Sequence, residues 1–332
     1  MTMFDLLILV TIIVTFFFSF FNGFSDAANA ISTIIATRVL SPIKAVALSA
    51  VGNFIGMFFG VAVATTIGKG IVQSNIVTAE LVLAAIVGGM IWDVLTYYLA
   101  LPVSESHVLI GGLVGAGVAA GGWSAVQIQG VVDKVLVPMV ASPTIALIVG
   151  FLLTALIIRF SYHYTPTHVN RYFRRLQIVS SLFFSVTHGT NDAQKAMGII
   201  TVLLVSYGYL ASFDVPLWVI IGAHAAISLG TFFGGWRIVK TMGFRITDLQ
   251  PYQGFAAETG GALILAGTAT MGFPVSTTHA ISGSIMGVGA TRRLSAVRWG
   301  IARRISVAWV LTMPASAFFA YLVYQAIGFI IV

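Results

Sequence analysis

Apolar residues fill most of this chain in long runs, and polar positions are confined to short intervals between the runs. About 20 consecutive apolar residues let a helix cross a bilayer, and runs of that length recur from one end of the chain to the other. No polar stretch is long enough for a separate soluble domain. The pattern therefore predicts an all-α polytopic membrane protein.

The first apolar run, residues 6–21, precedes Ala28-Asn29-Ala30, which resembles a signal-peptidase site. A signal peptide begins with basic residues, whereas the segment MTMFD contains Asp5 and neither Lys nor Arg. We therefore expect this run to stay in the protein as a membrane helix.

Composition agrees with the pattern. The chain is 58% hydrophobic and 8% charged, against about 25% charged residues in a soluble domain. Its formal net charge of +7 lies largely in loops between apolar runs, as expected for loops on the cytoplasmic side, so no nucleic-acid partner is expected. The chain has no cysteine, which excludes disulfides and thiolate chemistry.

Two motif pairs recur in the same order. Residues 22–30 read NGFSDAANA and 188–196 read HGTNDAQKA; residues 102–117 read PVSESHVLIGGLVGAG and 274–289 read PVSTTHAISGSIMGVG. A fixed order of paired motifs indicates an internal repeat. We predict a first repeat at 1–160, a basic cytoplasmic linker at 161–174 and a second repeat at 175–332.

Basic clusters predict how the two repeats face the membrane. They occur at Arg38/Lys44, Arg159 to Arg175, Arg237 to Arg245 and Arg292 to Arg304, and Lys and Arg favour the cytoplasmic side. Segment 249–291 then enters and leaves on that side, as a re-entrant helical hairpin. Segment 80–118 dips in from outside as its counterpart. This predicts inverted-topology repeats with broken helices, two re-entrant hairpins and both chain ends outside.

Several ionisable residues lie where apolar sequence surrounds them. They are Asp26, Asp93, Glu105, Asp192, Lys195 and Glu258. An ionisable group at bilayer depth costs about 2.5–3.5 kcal/mol or more, so it normally faces a cavity and has a task. Asp26 and Asp192 recur at equivalent positions, which favours function. For Asp93, and for Glu80 near a predicted hairpin base, a purely structural role stays open.

The first motif predicts a cation site. Gly23 and Gly189 are expected to break their helices, with Asn22, Ser25 and Asn191 as N-caps. Freed backbone carbonyls and the Asp carboxylates would then suit Na⁺ or a proton. Lys195, three residues after Asp192, can pair with it; the pair is either structural or a cation that helps to hold an anion.

The second motif predicts an anion site. Proline is expected to end the incoming helix and to suit the first turn of the outgoing one. Hydroxyls then crown an N-terminus that has free N–H groups and partial positive charge. Plain helix capping is the alternative. The histidines are interpreted as donors, proton carriers or packing residues, and the following glycines at four-residue spacing as sites of close helix packing.

At these residues the sequence resembles the PiT family of inorganic phosphate transporters, which has paired G-x-N-D-x-x-N-A and P-[VI]-S-x-T-H motifs in inverted halves. The resemblance covers essentially the whole chain. NDAQKAMGI is similar to the bacterial Pit subgroup, which takes up phosphate with protons, often as a neutral metal–phosphate complex; other members use Na⁺. The resemblance implies a bacterial or archaeal cell membrane and a homodimer. Sulfate permeases related to the family have G-A-S-G in place of N-D, so Asp in both copies favours phosphate.

The motifs and the resemblance together define a candidate site. The candidate phosphate-binding residues are Ser104, Glu105, Ser106, Asn191, Lys195, Ser276, Thr277 and Thr278. The candidate coupling-ion residues are Asn22, Ser25, Asp26, Asn29, Glu80, Asp192 and Glu258. His107, His188 and His279 are candidates for gating or proton transfer.

The two motif copies are not identical. Ser25 stands where the family usually has Asn, and Lys195 replaces Asn29 of the first copy. Glu105 stands where Thr277 stands in the second copy, so the hairpin tips are not equivalent. We interpret Glu105 as marking the position of the coupling cation or of a metal bound to phosphate.

The predicted function is secondary active symport of inorganic phosphate with H⁺ or Na⁺. A permease for sulfate or another tetrahedral oxyanion and a metal–phosphate/H⁺ symporter stay open as alternatives. No cofactor is expected beyond the coupling cation and a divalent metal carried with phosphate. The chain has no G-x-x-x-x-G-K-[ST] loop, so ATP hydrolysis is not expected. Ser104, Glu105 and His107 contain nucleophile and base types, but capping and anion binding explain them better than hydrolysis. A passive channel is a third class.

Overall fold

Helices occupy most of the chain, because a backbone in hydrocarbon must satisfy its N–H and C=O groups within its own segment. The computed structural model describes residues 3–73 and 76–331. In this part of the chain the β-structure is limited to one bridge between Val72 and Val126. The expectation of an all-α fold is confirmed.

The helices fall into two successive series of similar order. The first contains α1 (Met3–Ala36), α2 (Pro42–Ile55), α3 (Ala62–Lys69), α4 (Ala79–Tyr98), α5 (Glu105–Gly121), α6 (Ile128–Val131) and α7 (Val137–Ser161). The second contains α8 (Pro166–Ser206), α9 (Leu217–Phe233), α10 (Trp236–Phe244), α11 (Pro251–Thr270), α12 (Thr277–Ala290) and α13 (Trp299–Ile331). A π-helical turn at Val132–Leu136 joins α6 to α7. Short 3₁₀ turns lie at Gly56–Phe58, Trp123–Ala125 and Leu294–Ala296.

Several of these helices are long and apolar enough to cross a membrane. Among the described residues they are Asp5–Ala36, Ala79–Tyr98, Ile128–Ser161 and Trp299–Phe329. Two bent pairs also qualify when each is taken as one span: Pro42–Phe58 with Ala62–Lys69, and Leu217–Phe233 with Trp236–Phe244. The lengths and composition identify a membrane protein.

The helix breaks do not lie where the sequence predicted them. Helices α1 and α8 run without interruption through Gly23 and Gly189, so the prediction that these glycines break the helix is wrong. A Cβ at Gly23 would lie 2.1 Å from the Ile227 carbonyl oxygen, and one at Gly189 would lie 2.4 Å from that of Asn53. Gly23 lets α1 cross α9 closely, and Gly189 lets α8 cross α2 closely. Because both helices are unbroken, their backbone carbonyls stay in helical hydrogen bonds and are not freed as cation ligands.

The actual breaks are the two bends, of 78° between α2 and α3 and of 72° between α9 and α10. Gly234 ends α9 at φ +69°, a conformation that favours glycine. Because α1 and α8 are unbroken, Asn22, Ser25 and Asn191 lie inside helices and are not the N-caps that were predicted.

Two helical hairpins form as predicted. Helices α4 and α5 pack together across the turn at 99–104, and α11 and α12 pack across the turn at 271–276. Ser104 and Ser276 are the N-caps of the outgoing helices and accept hydrogen bonds from the N–H groups of His107 and His279. Pro102 and Pro274 precede the caps by two residues, so the prediction that they belong to the first helical turn is wrong. They lie in the turns, four residues after the last residues of α4 and α11, so the prediction that they end the incoming helices is also wrong. Each incoming helix is instead followed by a residue with positive φ, Ala100 at +54° and Gly272 at +73°.

Each hairpin packs on the long helix that ends the other series, α5 on α13 and α12 on α7. The predicted role of the glycines in close packing is confirmed. A Cβ at Gly115 would lie 2.0 Å from the Ala317 carbonyl oxygen, and one at Gly287 would lie 1.9 Å from that of Leu147. These contacts pack α5 closely on α13 and α12 closely on α7, and so position the two tips.

The connection between the two series is short. Helix α7 ends at Ser161 and α8 begins at Pro166, with Thr165 as its N-cap. Of the predicted linker 161–174, residues 166–174 are therefore the first turns of α8.

Candidate functional site

The two hairpin tips meet each other inside the protein, beside α1 and α8. The Ser106 hydroxyl donates to the Val275 carbonyl at 3.1 Å, which joins one tip to the other. Trp309 of α13 donates its indole N–H to the Pro102 carbonyl at 3.0 Å. All tip residues that the sequence singled out are at most 2% exposed, so the site is enclosed.

The tip of the second hairpin binds the polar face of α1. The Thr278 hydroxyl lies 3.2 Å from Asp26 Oδ1, and the Thr277 hydroxyl lies 3.4 Å from Asp26 Oδ2. The Asn29 amide donates to both threonine hydroxyls, at 3.2 and 3.0 Å. Asp26 and Asn29 reach the same tip because residues three apart lie on one face of a helix.

Asp192 of α8 reaches the same threonine from the other side. Its Oδ2 atom lies 3.4 Å from the Thr277 hydroxyl and 3.5 Å from His188 Nε2, while its Oδ1 atom lies 3.0 Å from Lys195 Nζ. One hydroxyl therefore bridges the two aspartates of the repeated motif. The predicted pairing of Asp192 with Lys195 is present in the structure, and both side chains are buried.

The tip of the first hairpin has the carboxyl group of Glu105 where the second tip has the hydroxyl group of Thr277. Ser25 of α1 donates its hydroxyl to Glu105 Oε1 at 2.5 Å. The Asp93 carboxyl group, on α4 of the same hairpin, interacts with that of Glu105. Both carboxyl groups are 1% exposed. The first tip therefore adds two buried acids to the two aspartates.

These groups form one electrostatic cluster. Asp26 interacts with Glu105, Asp192 and Lys195, and Asp93 interacts with Asp26 and Lys195. With every group ionised, four carboxylates and one ammonium give a net charge of −3. Charge of one sign, held together away from water, repels strongly. Protons or bound cations would reduce this repulsion.

Several buried amide atoms of α1 and α8 near the cluster have no hydrogen-bond partner among the described residues. Within the part of the chain that the structure describes, Asn22 Oδ1, Asn29 Oδ1 and both amide atoms of Asn191 are buried without a hydrogen-bond partner. Most buried polar atoms in proteins are paired. Free amide oxygens and an amide N–H₂ group next to charged residues are suited to a cation and an anion respectively.

Asp26, His188 and Asp192 each offer one ligand atom, and these atoms all lie within 4.8 Å of one another. Two carboxylates and one imidazole could hold a metal ion, and the ammonium group of Lys195 opposes that ion. The imidazole is oriented by a contact of 2.9 Å between His188 Nδ1 and Asn53 Oδ1. His188 therefore lies in the cluster itself.

The other two candidate histidines lie one turn behind the caps. The rings of His107 and His279 are 4.9 Å apart between centroids, and the His279 ring is 3.9 Å from that of Trp309. The two rings therefore contact each other directly behind the tips.

Glu258 is not at the tips. Its carboxylate accepts hydrogen bonds from Thr33 at 2.6 Å, Gln177 at 3.0 Å and Ser180 at 2.5 Å. Thr33 follows Asp26 by seven residues, which is a rise of about 10 Å along α1. Glu258 therefore forms a second buried polar cluster, farther along α1 and α8.

Glu80 is also remote from the tips. It lies in the first turn of α4, half-buried, and a helix of 20 residues spans about 30 Å. Among the described residues, Glu80 interacts electrostatically with Tyr324 of α13.

Reasoning from motifs missed the residues that support the site. Asn53 orients His188 and donates to the Thr231 hydroxyl at 2.7 Å, and Gln177 and Ser180 hold Glu258. Each of these residues is a polar side chain near or within an apolar run, and that position could have indicated a buried polar contact. None of them belongs to a repeated motif, so the motif search did not select them.

Comparisons with known proteins agree with this fold. Residues 22–320 match the phosphate transporter family. A Rhizobium meliloti (strain 1021) protein named probable low-affinity inorganic phosphate transporter is 52% identical over 284 residues, covering 85% of each chain. A Bacillus subtilis (strain 168) protein of the same name is 40% identical over 289 residues, covering 86% of each chain. A solved structure titled the sodium-dependent phosphate transporter has the same fold, with a TM-score of 0.89 over 98% of this chain and 100% of that one, at 24% identity.

Proposed function

Because the chain belongs to the phosphate transporter family, we propose that it carries inorganic phosphate across a membrane as a cation-coupled symporter. The members of that family are transporters and not enzymes, which confirms the prediction that the chain has no enzymatic role. Hydrolysis by Ser104 or Ser276 is therefore set aside.

The observation that carries the proposal is the position of Thr277, whose hydroxyl joins Asp26 and Asp192 at the tip of a hairpin. Helices α5 and α12 both begin at the tips, and the first N–H groups of a helix have no acceptor in that helix. Their partial positive charge and the hydroxyls of both tips suit a tetrahedral anion. Phosphate is proposed to bind between the tips.

Coupling follows from the charge of the site. A cluster with up to three excess negative charges repels phosphate until a cation or proton binds at Asp26 and Asp192. Lys195 supplies one fixed positive charge beside Asp192. Cation binding is therefore proposed to come first and to create the affinity for phosphate.

Alternating access requires the tips to move. The candidate residues of both tips are buried, so phosphate can reach the site only if a hairpin moves away from α1 and α8. Breaking the contacts of Thr277 and Thr278 with Asp26 opens one side, and breaking the contact of Glu105 with Ser25 opens the other. The two hairpins are proposed to open in turn.

The coupling ion is either H⁺ or Na⁺, and metal–phosphate is the alternative substrate supported by the Asp26, His188 and Asp192 group. Uptake of radiolabelled phosphate into proteoliposomes distinguishes these cases. Stimulation by a Na⁺ gradient indicates Na⁺, stimulation by a pH step indicates H⁺, and dependence on Mg²⁺ indicates the metal complex. Competition by excess sulfate tests a broader oxyanion specificity.

The decisive test removes both aspartate charges. Asp26→Asn combined with Asp192→Asn is expected to abolish phosphate uptake, because the cation then has no carboxylate ligand or proton acceptor there. Asp248→Asn is the control, since Asp248 is exposed and pairs with Arg298. Undiminished uptake by the double variant would overturn the mechanism, and gradient-independent anion current in the same liposomes would indicate a channel.

The setting proposed for this transporter is a cell (inner) membrane of a bacterium or archaeon, with both chain ends outside. The basic loops support this orientation. A homodimer is proposed on the resemblance to the family.

A further inference from the structure

An apolar groove lies on the surface between the first hairpin and α13. Trp92 of α4 and the turn residues Leu99 and Leu101 form one wall, and Val307 and Leu311 of α13 form the other. The groove has a volume of about 580 Å³. Leu99, Val307 and Leu311 are each at least half exposed, so no part of the described chain covers the groove.

Two arginines line the same groove. Arg303 and Arg304 lie in the second turn of α13 and are exposed. Neither has an ion-pair partner anywhere in the described ranges. Arginine stems lie along apolar surfaces while the guanidinium groups reach the membrane–water interface. The groove therefore combines an apolar trough with two adjacent, unpaired guanidinium groups.

The charge belongs to one copy of the repeat. Pro143 of α7 and Pro314 of α13 occupy matching places in the two series, 171 residues apart, and the same shift carries Arg303 and Arg304 to Val132 and Asp133. Asp133 accepts a hydrogen bond from Gln129 at 2.7 Å. In the predicted inverted arrangement the two ends lie on opposite sides of the membrane, so the basic residues place this groove on the cytoplasmic side.

We propose that this groove binds an anionic phospholipid, with an acyl chain in the apolar trough and the headgroup phosphate on Arg303 and Arg304. Guanidinium groups bind phosphate oxygens in a bidentate manner, and basic pockets beside membrane helices on the cytoplasmic side recognise anionic headgroups. Free phosphate would use the arginines and leave the apolar walls uncovered. The lipid satisfies both parts of the groove.

The site differs from the proposed transport site and can be tested without transport. The full chain is reconstituted in phosphatidylcholine that contains phosphatidylglycerol with brominated acyl chains. Bromine quenches tryptophan fluorescence at contact, and the contribution of Trp92 is the difference between the wild type and Trp92→Phe. Brominated phosphatidylglycerol is expected to quench Trp92 at about one tenth or less of the mole fraction that brominated phosphatidylcholine requires.

Arg303→Gln combined with Arg304→Gln is expected to abolish that preference. Arg292→Gln combined with Arg293→Gln is the matched control, because these two arginines are also exposed but line a different cavity. The preference should survive in the control. Both double variants change exposed side chains and should unfold at the wild-type temperature.

Three results would overturn the proposal. Equal quenching by the two brominated lipids would mean contact with bulk lipid only. Relief of phosphatidylglycerol quenching by inorganic phosphate would assign the arginines to free phosphate. Absence of quenching by either lipid, in a preparation that is dimeric by mass, would mean that a second copy of the chain covers the groove.

Discussion

Lys195 and Asp192 form a buried ion pair at the centre of the site, and breaking such a pair leaves an uncompensated charge. We predict that Lys195→Met lowers the free energy of unfolding by about 3–5 kcal/mol. Adding Asp192→Asn to this variant should restore most of the lost stability, because the unpaired Asp192 carboxylate is then removed. Unfolding of the purified protein in detergent measures both. A Lys195→Met variant as stable as the wild type would contradict this prediction.

The Thr277 hydroxyl is the group that joins Asp26 to Asp192. Thr277→Val keeps the shape and removes the hydroxyl, and we predict a fall in phosphate uptake of about tenfold or more. Thr268→Val is the control, since the Thr268 hydroxyl bonds, among the described residues, to carbonyls of its own helix, α11. Equal uptake by both variants, at equal amounts of reconstituted protein, would remove Thr277 from the mechanism.

The helices cross closely at glycine residues, where the backbone of the neighbouring helix fills the place of a side chain. A Cβ on Gly287 would lie 1.9 Å from the Leu147 carbonyl oxygen, so Gly287→Ala must push α12 away from α7. We predict a loss of about 1–3 kcal/mol in the free energy of unfolding. Gly267→Ala, in the exposed last turns of α11 with no atom near its Cβ position, should instead gain up to about 1 kcal/mol. Thermal unfolding of both variants gives the comparison, and a stabilising Gly287→Ala would contradict it.

The helices also show where sequence reasoning stops. Gly23 and Gly189 were expected to break α1 and α8, and they permit close crossings with α9 and α2 instead. Both roles require the absence of a Cβ, so the residue type does not separate them. The bends lie at positions outside the repeated motifs, where local backbone conformation and packing decide them.

At the scale of the whole molecule, the inverted arrangement makes a prediction that one experiment can refute. Ser124 and Ser295 lie in corresponding 3₁₀ turns after the first and the second hairpin, and both are exposed. If the repeats are inverted, the two serines lie on opposite sides of the membrane. The chain has no native cysteine, so Ser124→Cys and Ser295→Cys can each be labelled alone.

A membrane-impermeant maleimide applied to intact cells should label Ser124→Cys and not Ser295→Cys. Permeabilised cells, in which both should react, are the control for accessibility. Labelling of both variants in intact cells would contradict the inverted arrangement. Labelling of Ser295→Cys alone would keep the inversion and reverse the predicted orientation.

Hydropathy, turn residues and a repeated motif are local properties of the chain, and they were enough to predict the membrane class, the two hairpins and the paired acid and hydroxyl motifs. Which of those residues meet depends on how the helices cross. The tertiary structure placed Thr277 between Asp26 and Asp192, gave Glu105 its contact with Ser25, and moved Glu258 and Glu80 away from the tips. Residues more than 200 positions apart, such as Asp26 and Thr277, come together only through the crossing of helices, and the depth and angle of each crossing depend on packing that no local pattern records.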